Sequence, residues 1–168
     1  MKEGPNPNRK PFHPKIKQAK YGIVVAEWNK EITHSLKNGA LETLIDLGVS
    51  EENITVYEVS GAFEIPLGLK LYIDSKNFDA LVGIGCLVKG DTPHFHYISE
   101  VVSHRVSELA VEHSTPIGFG LLTVNTYEQA LDRAGGKHGN KGQEAAEAAV
   151  NLLSMKYSMQ TERKSIGF

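Results

Sequence analysis

Residues 21–26 read Tyr21-Gly-Ile-Val-Val-Ala26, a short and continuously apolar run. Such a run is typical of a strand that is buried on both faces, as strands of a parallel sheet are. We predict three more strands along the chain, at Ile54–Val59, at Ala80–Gly85 and from Pro116 to Leu122. The first of the four sets the fold, because a strand without a polar face needs helices above and below it.

Helical patterns separate these strands. Ile32, Leu36, Ala40 and Leu44 recur at the spacing of one helix face, and Gly48 is a typical helix terminator. Further helices are predicted over about 64–75, 95–113 and 142–157, with a short one that starts at a capping box of Thr126 and Gln129. This alternation predicts an α/β fold. We expect a three-layer αβα sandwich around a four-stranded parallel sheet with the order 2-1-3-4.

Composition narrows the class of protein. The 168 residues suit a single domain, and 18 basic against 20 acidic side chains leave a net charge of −2. This balance does not favour nucleic acid or an anionic membrane as a partner. Met1 to Asn8 lacks the apolar segment of a secretory signal, and the single cysteine excludes an intrachain disulfide. We therefore expect a cytoplasmic protein.

The two ends differ from the rest of the chain. Residues 1–18 hold four prolines and five basic residues, so we expect a flexible arm. This arm is either a disordered tail or a segment that orders against a neighbouring subunit. Residues 19–157 form the predicted domain, and residues 158–168 are expected to be a C-terminal tail.

Unusual residues follow the predicted strands. In an open parallel sheet, ligands bind beyond the carboxyl ends of the strands, where the strand order switches. The four loops there are Trp28-Asn29, Ser60 to Glu64, Cys86 to His94 and the turn after Phe119. We expect the ligand site among these loops.

Trp28 and Glu64 each allow two interpretations. Trp28 could stack on a planar heterocycle, or it could be a core or interface aromatic. Glu64 could accept hydrogen bonds from a polyol, or it could complement the positive end of a helix.

Lys89-Gly-Asp-Thr-Pro-His94 is the most informative loop. Its amides and Thr92 could hold a phosphate, and His94 could either transfer a proton or cap the next helix. His94 and His96 also form an H-x-H pair, but positions two apart on a helix face different ways. We therefore predict no metal site.

Arg133 to Gly142 is a segment rich in glycine and cations. It is either a flexible turn between helices or an anion site that uses Arg133 and Lys141, since arginine grips phosphate oxygens well. Cys86 lies in an apolar context that favours a buried structural thiol over a nucleophile.

Taken together, these motifs resemble the lumazine synthase family from about Lys20 to Tyr157. The resemblance rests on the order and spacing of five segments: Glu27-Trp28-Asn29, Gly61-Ala-Phe-Glu-Ile-Pro66, Gly85 to His94, Gly120-Leu-Leu-Thr-Val124 with Glu128-Gln129-Ala130, and Arg133-Ala-Gly with Gly139-Asn-Lys-Gly142. The second and third segments are the most specific.

The resemblance implies a reaction without cofactor or metal. Members condense 5-amino-6-ribitylaminouracil with 3,4-dihydroxy-2-butanone 4-phosphate to 6,7-dimethyl-8-ribityllumazine, releasing phosphate and water in riboflavin biosynthesis. The resemblance also implies a homopentamer. In some members the pentamers assemble into a hollow icosahedral shell, and riboflavin synthase is a candidate partner. The compact turn at Gly136–Gly142 resembles the shell-forming kind.

Site residues follow from the resemblance by position. Trp28 and Asn29 correspond to residues at the pyrimidine ring, and His94 corresponds to the proton-transfer histidine. Phe119, Arg133 and Lys141 would come from the adjacent subunit, with Arg133 on the phosphate and Lys141 near the reacting carbons. The remaining positions correspond to the ribityl segment, Ala62, Phe63 and Glu64, and to the phosphate turn, Val88, Lys89, Gly90, Asp91 and Thr92. This chain departs from common members at His96, which is usually acidic, and at Trp28, which is usually phenylalanine.

Other classes fit less well. A flavodoxin-like FMN protein shares the fold logic but needs a phosphate loop rich in glycine and hydroxyls after the first strand, where this chain has Glu27-Trp28-Asn29-Lys30. A receiver domain needs an acidic cluster that is missing here. A purely structural shell subunit would not need His94, Arg133 and Lys141.

Overall fold

The structure is a computed structural model that describes residues 11–166, with side chains through residue 162. Residues 1–10 of the expected arm and residues 167–168 of the expected tail lie outside the described residues. Four strands form the main sheet: β1 (Tyr21–Ala26), β2 (Ile54–Val59), β3 (Ala80–Val88) and β4 (Ile117–Val124). The helices are α1 (Lys30–Asp46), α2 (Ile65–Ser75), α3 (His94–Glu112), α4 (Tyr127–Leu131) and α5 (Lys141–Ile166). A small hairpin joins β5 (Ala134–Gly136) to β6 (Gly139–Asn140).

The predicted sheet is confirmed. Its order is β2-β1-β3-β4, and every described pairing within it is parallel. The order reverses between β1 and β3, which places the switch in the middle of the sheet. The predicted α/β sandwich is therefore correct in class and topology.

Alternate residues of the strands feed two separate cores. Ile23 and Val25 of β1 pack in one cluster with Leu36 of α1 and Val150 of α5. Val24 packs on the opposite face with residues of α2 and α3. Each core is formed by side chains that are almost completely buried, so the sheet is covered by a helical layer on both sides.

Three elements extend beyond the sequence-based expectation, and a fourth lies within the expected arm. Strand β3 continues three residues beyond Gly85 to Val88, and β4 continues to Val124. Helix α5 runs to Ile166, into the segment expected to be a tail. Residues Pro14–Gln18 form a 3-10 helix whose Ile16 is buried in the core. Strands β3 and β4 continue because Leu87 pairs with Thr123 and Val88 with Val124, and the burial of Ile16 holds the 3-10 helix against the core.

Within residues 11–166, no helix combines the length and apolar character needed to cross a bilayer.

Candidate active site

The carboxyl ends of β1 and β2 meet at one edge of the sheet. Ala26 lies level with Val59 in the parallel register, and the N–H of Glu27 donates to the carbonyl of Val59 at 2.8 Å. This bond holds together the loops that follow the two strands. Trp28 on the first loop and Gly61 on the second are therefore neighbours.

Trp28, Gly61 and Glu64 form a compact group. A β-carbon placed on Gly61 would lie 3.5 Å from Cδ1 of Trp28 and 3.2 Å from Oε2 of Glu64. The indole ring is 74% exposed, which excludes a place in the core of this chain. A flat apolar ring and a carboxylate thus stand beside one another with only a glycine between them.

The segment after β2 positions two further predicted residues. Ala62–Glu64 forms a 3-10 turn that leads directly into α2, where Pro66 stands in the first turn. Ala62 is buried and Phe63 is 58% exposed. Phe63 and Glu64 therefore present side chains to solvent at the same edge as Trp28, while Ala62 fixes the turn to the core.

The loop after β3 stays close to the end of β4. The N–H of Lys89 donates to the carbonyl of Val124 at 2.8 Å, which ties the first residue of this loop to the neighbouring strand. Val88 is half-buried, while the side chains of Asp91 and Thr92 are exposed. Space within 4 Å of a β-carbon built on Gly90 is empty. The loop is thus anchored at its base and open to solvent beyond it.

His94 is the first residue of α3, one residue before the predicted start of this helix, and its side chain is exposed. The N–H groups of His96 and Tyr97 donate to the carbonyl of Pro93, at 3.0 and 3.4 Å. The imidazole of His96 makes an edge contact with the ring of Phe95, 5.3 Å between centroids. The two histidines therefore have different surroundings.

The glycine-rich segment from Arg133 to Gly142 is a hairpin. Ala134 pairs with Asn140 and Gly136 with Gly139 in antiparallel β5 and β6. At its base, the N–H of Lys141 donates to the carbonyl of Arg133 at 2.9 Å. Two cations that are eight residues apart in sequence are thereby fixed side by side.

Phe119, Arg133 and Lys141 line one open cleft of about 550 Å³ beside β4. Arg133 is half-buried, and its Nη1 donates to the carbonyl of Gln129 at 3.0 Å. Trp28, Glu64 and His94 do not line this cleft. The predicted residues therefore fall into two groups within one chain, one at the strand ends and one beside β4.

Phe119 does not lie at a strand end. It pairs with Gly83 in the middle of β3, five residues before β4 ends at Val124. Its glycine neighbours, which resemble a turn signal, serve close packing instead, because a β-carbon on Gly118 would lie 2.0 Å from the carbonyl oxygen of Ala145. Since β4 is an edge strand, Phe119 remains 44% exposed.

Sequence reasoning missed two residues of the hairpin region. Asn140 donates from Nδ2 to the carbonyl of Ser35 at 2.9 Å, and its Oδ1 accepts the N–H of Gly142 at 2.8 Å. The carboxylate of Glu144 accepts hydrogen bonds from Nζ of Lys141, at 2.7 Å to Oε1 and 2.6 Å to Oε2. Asparagine just before a helix and opposite charges three residues apart are the signals that could have found them.

Two other predicted features concern reactivity. Cys86 is buried, and burial raises the pKa of its thiol to about 11, so the thiol is protonated and unreactive at neutral pH. Among the described residues, no three His, Cys, Asp or Glu side chains converge as a metal site would require.

Comparison with known proteins agrees with this geometry. A model of the 6,7-dimethyl-8-ribityllumazine synthase family matches residues 18–157. A protein of that name from Parabacteroides distasonis is 47% identical over 141 residues, which cover 84% of this chain and 88% of the relative. One from Bacteroides fragilis is 46% identical over 140 residues, covering 83% and 98%. One from Flavobacterium psychrophilum is 41% identical over 155 residues, covering 92% and 79%.

The matched region contains the whole parallel sheet, the strand-end loops and the cationic hairpin. The chain therefore belongs to the 6,7-dimethyl-8-ribityllumazine synthase family.

Proposed function

We propose that this chain condenses 5-amino-6-ribitylaminouracil with 3,4-dihydroxy-2-butanone 4-phosphate at a site shared by two copies of the chain. The observation that carries the shared site is the separation of the two residue groups. Trp28, Glu64 and His94 lie at strand ends, whereas Phe119, Arg133 and Lys141 line a cleft beside the edge strand β4. A second copy that presents its cleft to these strand ends would complete the set.

The strand-end group suits the pyrimidine substrate. The exposed indole of Trp28 offers a face for ring stacking, with Asn29 and Phe63 beside it. The carboxylate of Glu64 accepts hydrogen bonds from the hydroxyl groups of the ribityl chain, and Ala62 lies in the same turn. The close approach of Trp28 and Glu64 at Gly61 matches a ligand whose ring carries a polyol directly.

The second substrate is a phosphate ester. The turn Val88–Thr92 (Val88, Lys89, Gly90, Asp91 and Thr92) leads into the amino end of α3, where unpaired N–H groups favour an anion. Arg133 of the second copy adds a guanidinium that can grip phosphate oxygens. Both features hold the leaving group as its charge develops.

The reaction needs placement more than strong catalysts. The amine of the pyrimidine attacks the ketone and water leaves as an imine forms. Phosphate is then eliminated, and the enol that results tautomerises to a second ketone. The nitrogen that carries the ribityl chain attacks this ketone, and a second water leaves as the ring closes. Holding the two reactive substrates in the correct orientation supplies much of the rate enhancement. Proton transfer by His94 raises the rate by a further factor of about 10² to 10⁴. Lys141 of the second copy lies near the reacting carbons in this scheme.

Exposed apolar side chains support an oligomer. Leu67 and Leu71 of α2 and Phe63 of the 3-10 turn before it are spaced four residues apart and are 62%, 60% and 58% exposed. Tyr97 and Val101 form a similar pair on α3, 66% and 45% exposed. Patches of this kind mark protein contacts in a folded chain. We propose a homopentamer, with a shell of pentamers and an enclosed riboflavin synthase as further assemblies.

Mixing the two substrates with purified protein tests the function. We expect a fluorescent lumazine product and stoichiometric phosphate, formed faster than in a control without protein. The variant His94→Ala is expected to lower kcat by about 10² or more while it keeps the same assembly. Product formation at the rate of the protein-free control would refute the proposal.

A further inference from the structure

Asn29 makes the sharp turn between β1 and α1. Its backbone is left-handed, with φ 58° and ψ 49°, a conformation that asparagine tolerates better than most residues. Its carbonyl accepts the N–H groups of Ile32 and Thr33 at 2.9 and 3.0 Å, which starts α1. The backbone of Asn29 is therefore fixed by the helix it initiates.

The side chain of Asn29 is fixed as well. Its Nδ2 donates to the carbonyl oxygen of Cys86 at 3.0 Å. A carbonyl only accepts hydrogen bonds, so the amide must turn its nitrogen to Cys86. The backbone pairing of β1 with β3 ends at Val25 and Ile84. The Asn29 amide thus continues the link between the two strands beyond the last backbone pair.

This side-chain link lies between two parts of the candidate site. Trp28 precedes Asn29 and stands over Gly61 on the loop after β2. Cys86 lies two residues before Val88, where β3 gives way to the loop that leads to His94. A single hydrogen bond therefore sets the position of the turn that carries Trp28 relative to the strand that carries the next loop.

We infer that Asn29 is a positioning residue, whose amide holds Trp28 in place for ring stacking through its bond to Cys86. This inference rests on the proposed function for the identity of the ring. It adds to the family-based expectation that Asn29 lies beside the ring, because one N–H of the amide is bonded to the main chain of β3 and ties this turn to that strand. Its effect on the substrate passes through Trp28.

Three variants separate the amide from the backbone. Asn29→Asp keeps the size of the side chain and its tolerance of left-handed backbone, but it sets a carboxylate against the carbonyl of Cys86. Asn29→Gly keeps the backbone and removes the side chain. Lys30→Gly is the matched control, because it adds glycine flexibility to the same turn and leaves the amide intact.

Trp28 is the only tryptophan and reports directly on its own mobility. We expect both Asn29 variants to lower the nanosecond fluorescence anisotropy of Trp28 in the assembled protein without substrate. We also expect the KM for 5-amino-6-ribitylaminouracil to rise about two- to tenfold, the range of one neutral hydrogen bond. Lys30→Gly should leave both values close to those of the wild type.

Wild-type anisotropy in Asn29→Asp would overturn the inference. If KM rises while Trp28 keeps its anisotropy, Asn29 acts as a direct ligand and the positioning role is wrong. If Asn29→Asp does not fold, the comparison of Asn29→Gly with Lys30→Gly decides in the same way. Because the anisotropy is measured without substrate, a wild-type protein that makes no lumazine would refute the proposed function and leave this test intact.

Discussion

Arg133 is held at one nitrogen and faces an open cleft. Its Nη1 bonds to the carbonyl of Gln129 at 3.0 Å, which fixes the direction of the guanidinium. A guanidinium has further N–H donors, so one structural bond leaves others for an anion. The residue can therefore bind phosphate without a change in its own backbone.

We expect Arg133→Ala to lower kcat/KM for the butanone phosphate about tenfold to a hundredfold, since a hydrogen bond to a charged group contributes about 1.5–3 kcal/mol. The loss should appear mainly in KM for that substrate, measured with the pyrimidine saturating. Lys137→Ala is the control, because Lys137 is exposed and pairs with Asp132 at 2.8 Å. An assembled Arg133→Ala protein with normal kcat/KM would contradict the phosphate role.

Gly61 separates Trp28 from Glu64. A methyl group there would crowd the carboxylate at 3.2 Å and touch the indole at 3.5 Å, so one of the two must move. We expect Gly61→Ala to raise KM for the pyrimidine several-fold, by about 1 kcal/mol of binding. The KM for the butanone phosphate serves as the internal control. Equal changes in both KM values would indicate a general distortion instead.

Tyr21 makes folding sensitive to alkali. Its hydroxyl is buried and donates to the carbonyl of Ile16 at 3.0 Å, and burial raises its pKa well above 10, with Tyr157 and Asp79 adding to the effect. A pKa raised in the folded state gives stability that is complete below the unfolded pKa, near 10, and is lost as pH rises above it. We expect the loss of unfolding free energy between about pH 9 and 11 to be smaller in Tyr21→Phe than in the wild type.

Denaturant titrations at the two pH values measure this loss. Tyr57→Phe is the control, because Tyr57 is 63% exposed on β2. Parallel pH profiles for the wild type and Tyr21→Phe would show that Tyr21 does not titrate in this range.

Helix α1 packs closely at two glycines against the start of α5 and against β6, which precedes it. A β-carbon on Gly142 would lie 1.9 Å from the carbonyl oxygen of Leu36, and one on Gly39 would lie 2.5 Å from Cγ of Asn140. The contact also carries the bond from Asn140 to the carbonyl of Ser35. This packing sets the hairpin, and hence Arg133 and Lys141, against α1.

We expect Gly142→Ala to lower the free energy of unfolding by about 3 kcal/mol or more, because its methyl group meets backbone that has no room to yield. Thermal or denaturant unfolding measures this change. Gly90→Ala is the matched control, since no atom lies within 4 Å of its added β-carbon. Equal stability of the two variants would show that α1 and α5 separate easily.

The sequence predicted the elements whose signals are local. The apolar run of β1 and the helix face of α1 gave correct elements, and the strand order followed from their alternation. The β5–β6 hairpin was not predicted, because a segment with several glycines is equally compatible with a loop. The predicted end of α5 was also wrong, because the part of the helix that continues to Ile166 has no apolar periodicity to mark it.

The candidate site likewise contains residues that local sequence signals place correctly and residues that they do not. Trp28, Glu64 and His94 lie where strand-end reasoning places them, because the carboxyl ends of parallel strands share an edge. The local pattern allows an anion site at Arg133 and Lys141, but it does not indicate the hairpin that joins their backbones. Phe119 was misplaced because Gly118 and Gly120 have a packing role that only the position of α5 explains.

At the scale of the whole molecule, a shared site predicts that two inactive variants restore activity when they assemble together. His94→Ala damages the strand-end group, and Arg133→Ala damages the cleft beside β4. In a mixed ring, a site is intact where an undamaged His94 meets an undamaged Arg133 from the neighbour. Random equal mixing makes about one quarter of the sites intact.

We therefore expect co-expressed His94→Ala and Arg133→Ala chains to regain about one quarter of wild-type activity per site. With butanone phosphate well below its raised KM in Arg133→Ala, each variant expressed alone should have low activity. The control is a blend of the two proteins after separate assembly, which should remain as inactive as its components. A co-expressed mixture with no more activity than this blend would show that each site is built within one chain.

The buried thiol of Cys86 has a practical consequence for chemical labelling of this protein. It is the only cysteine in the chain and is 2% exposed, with a pKa of about 11. Maleimide reagents should therefore leave Cys86 unmodified in the native protein and react with it only after denaturation. A cysteine engineered on the outer surface would then give one dye, peptide or drug per subunit, without first removing a native thiol.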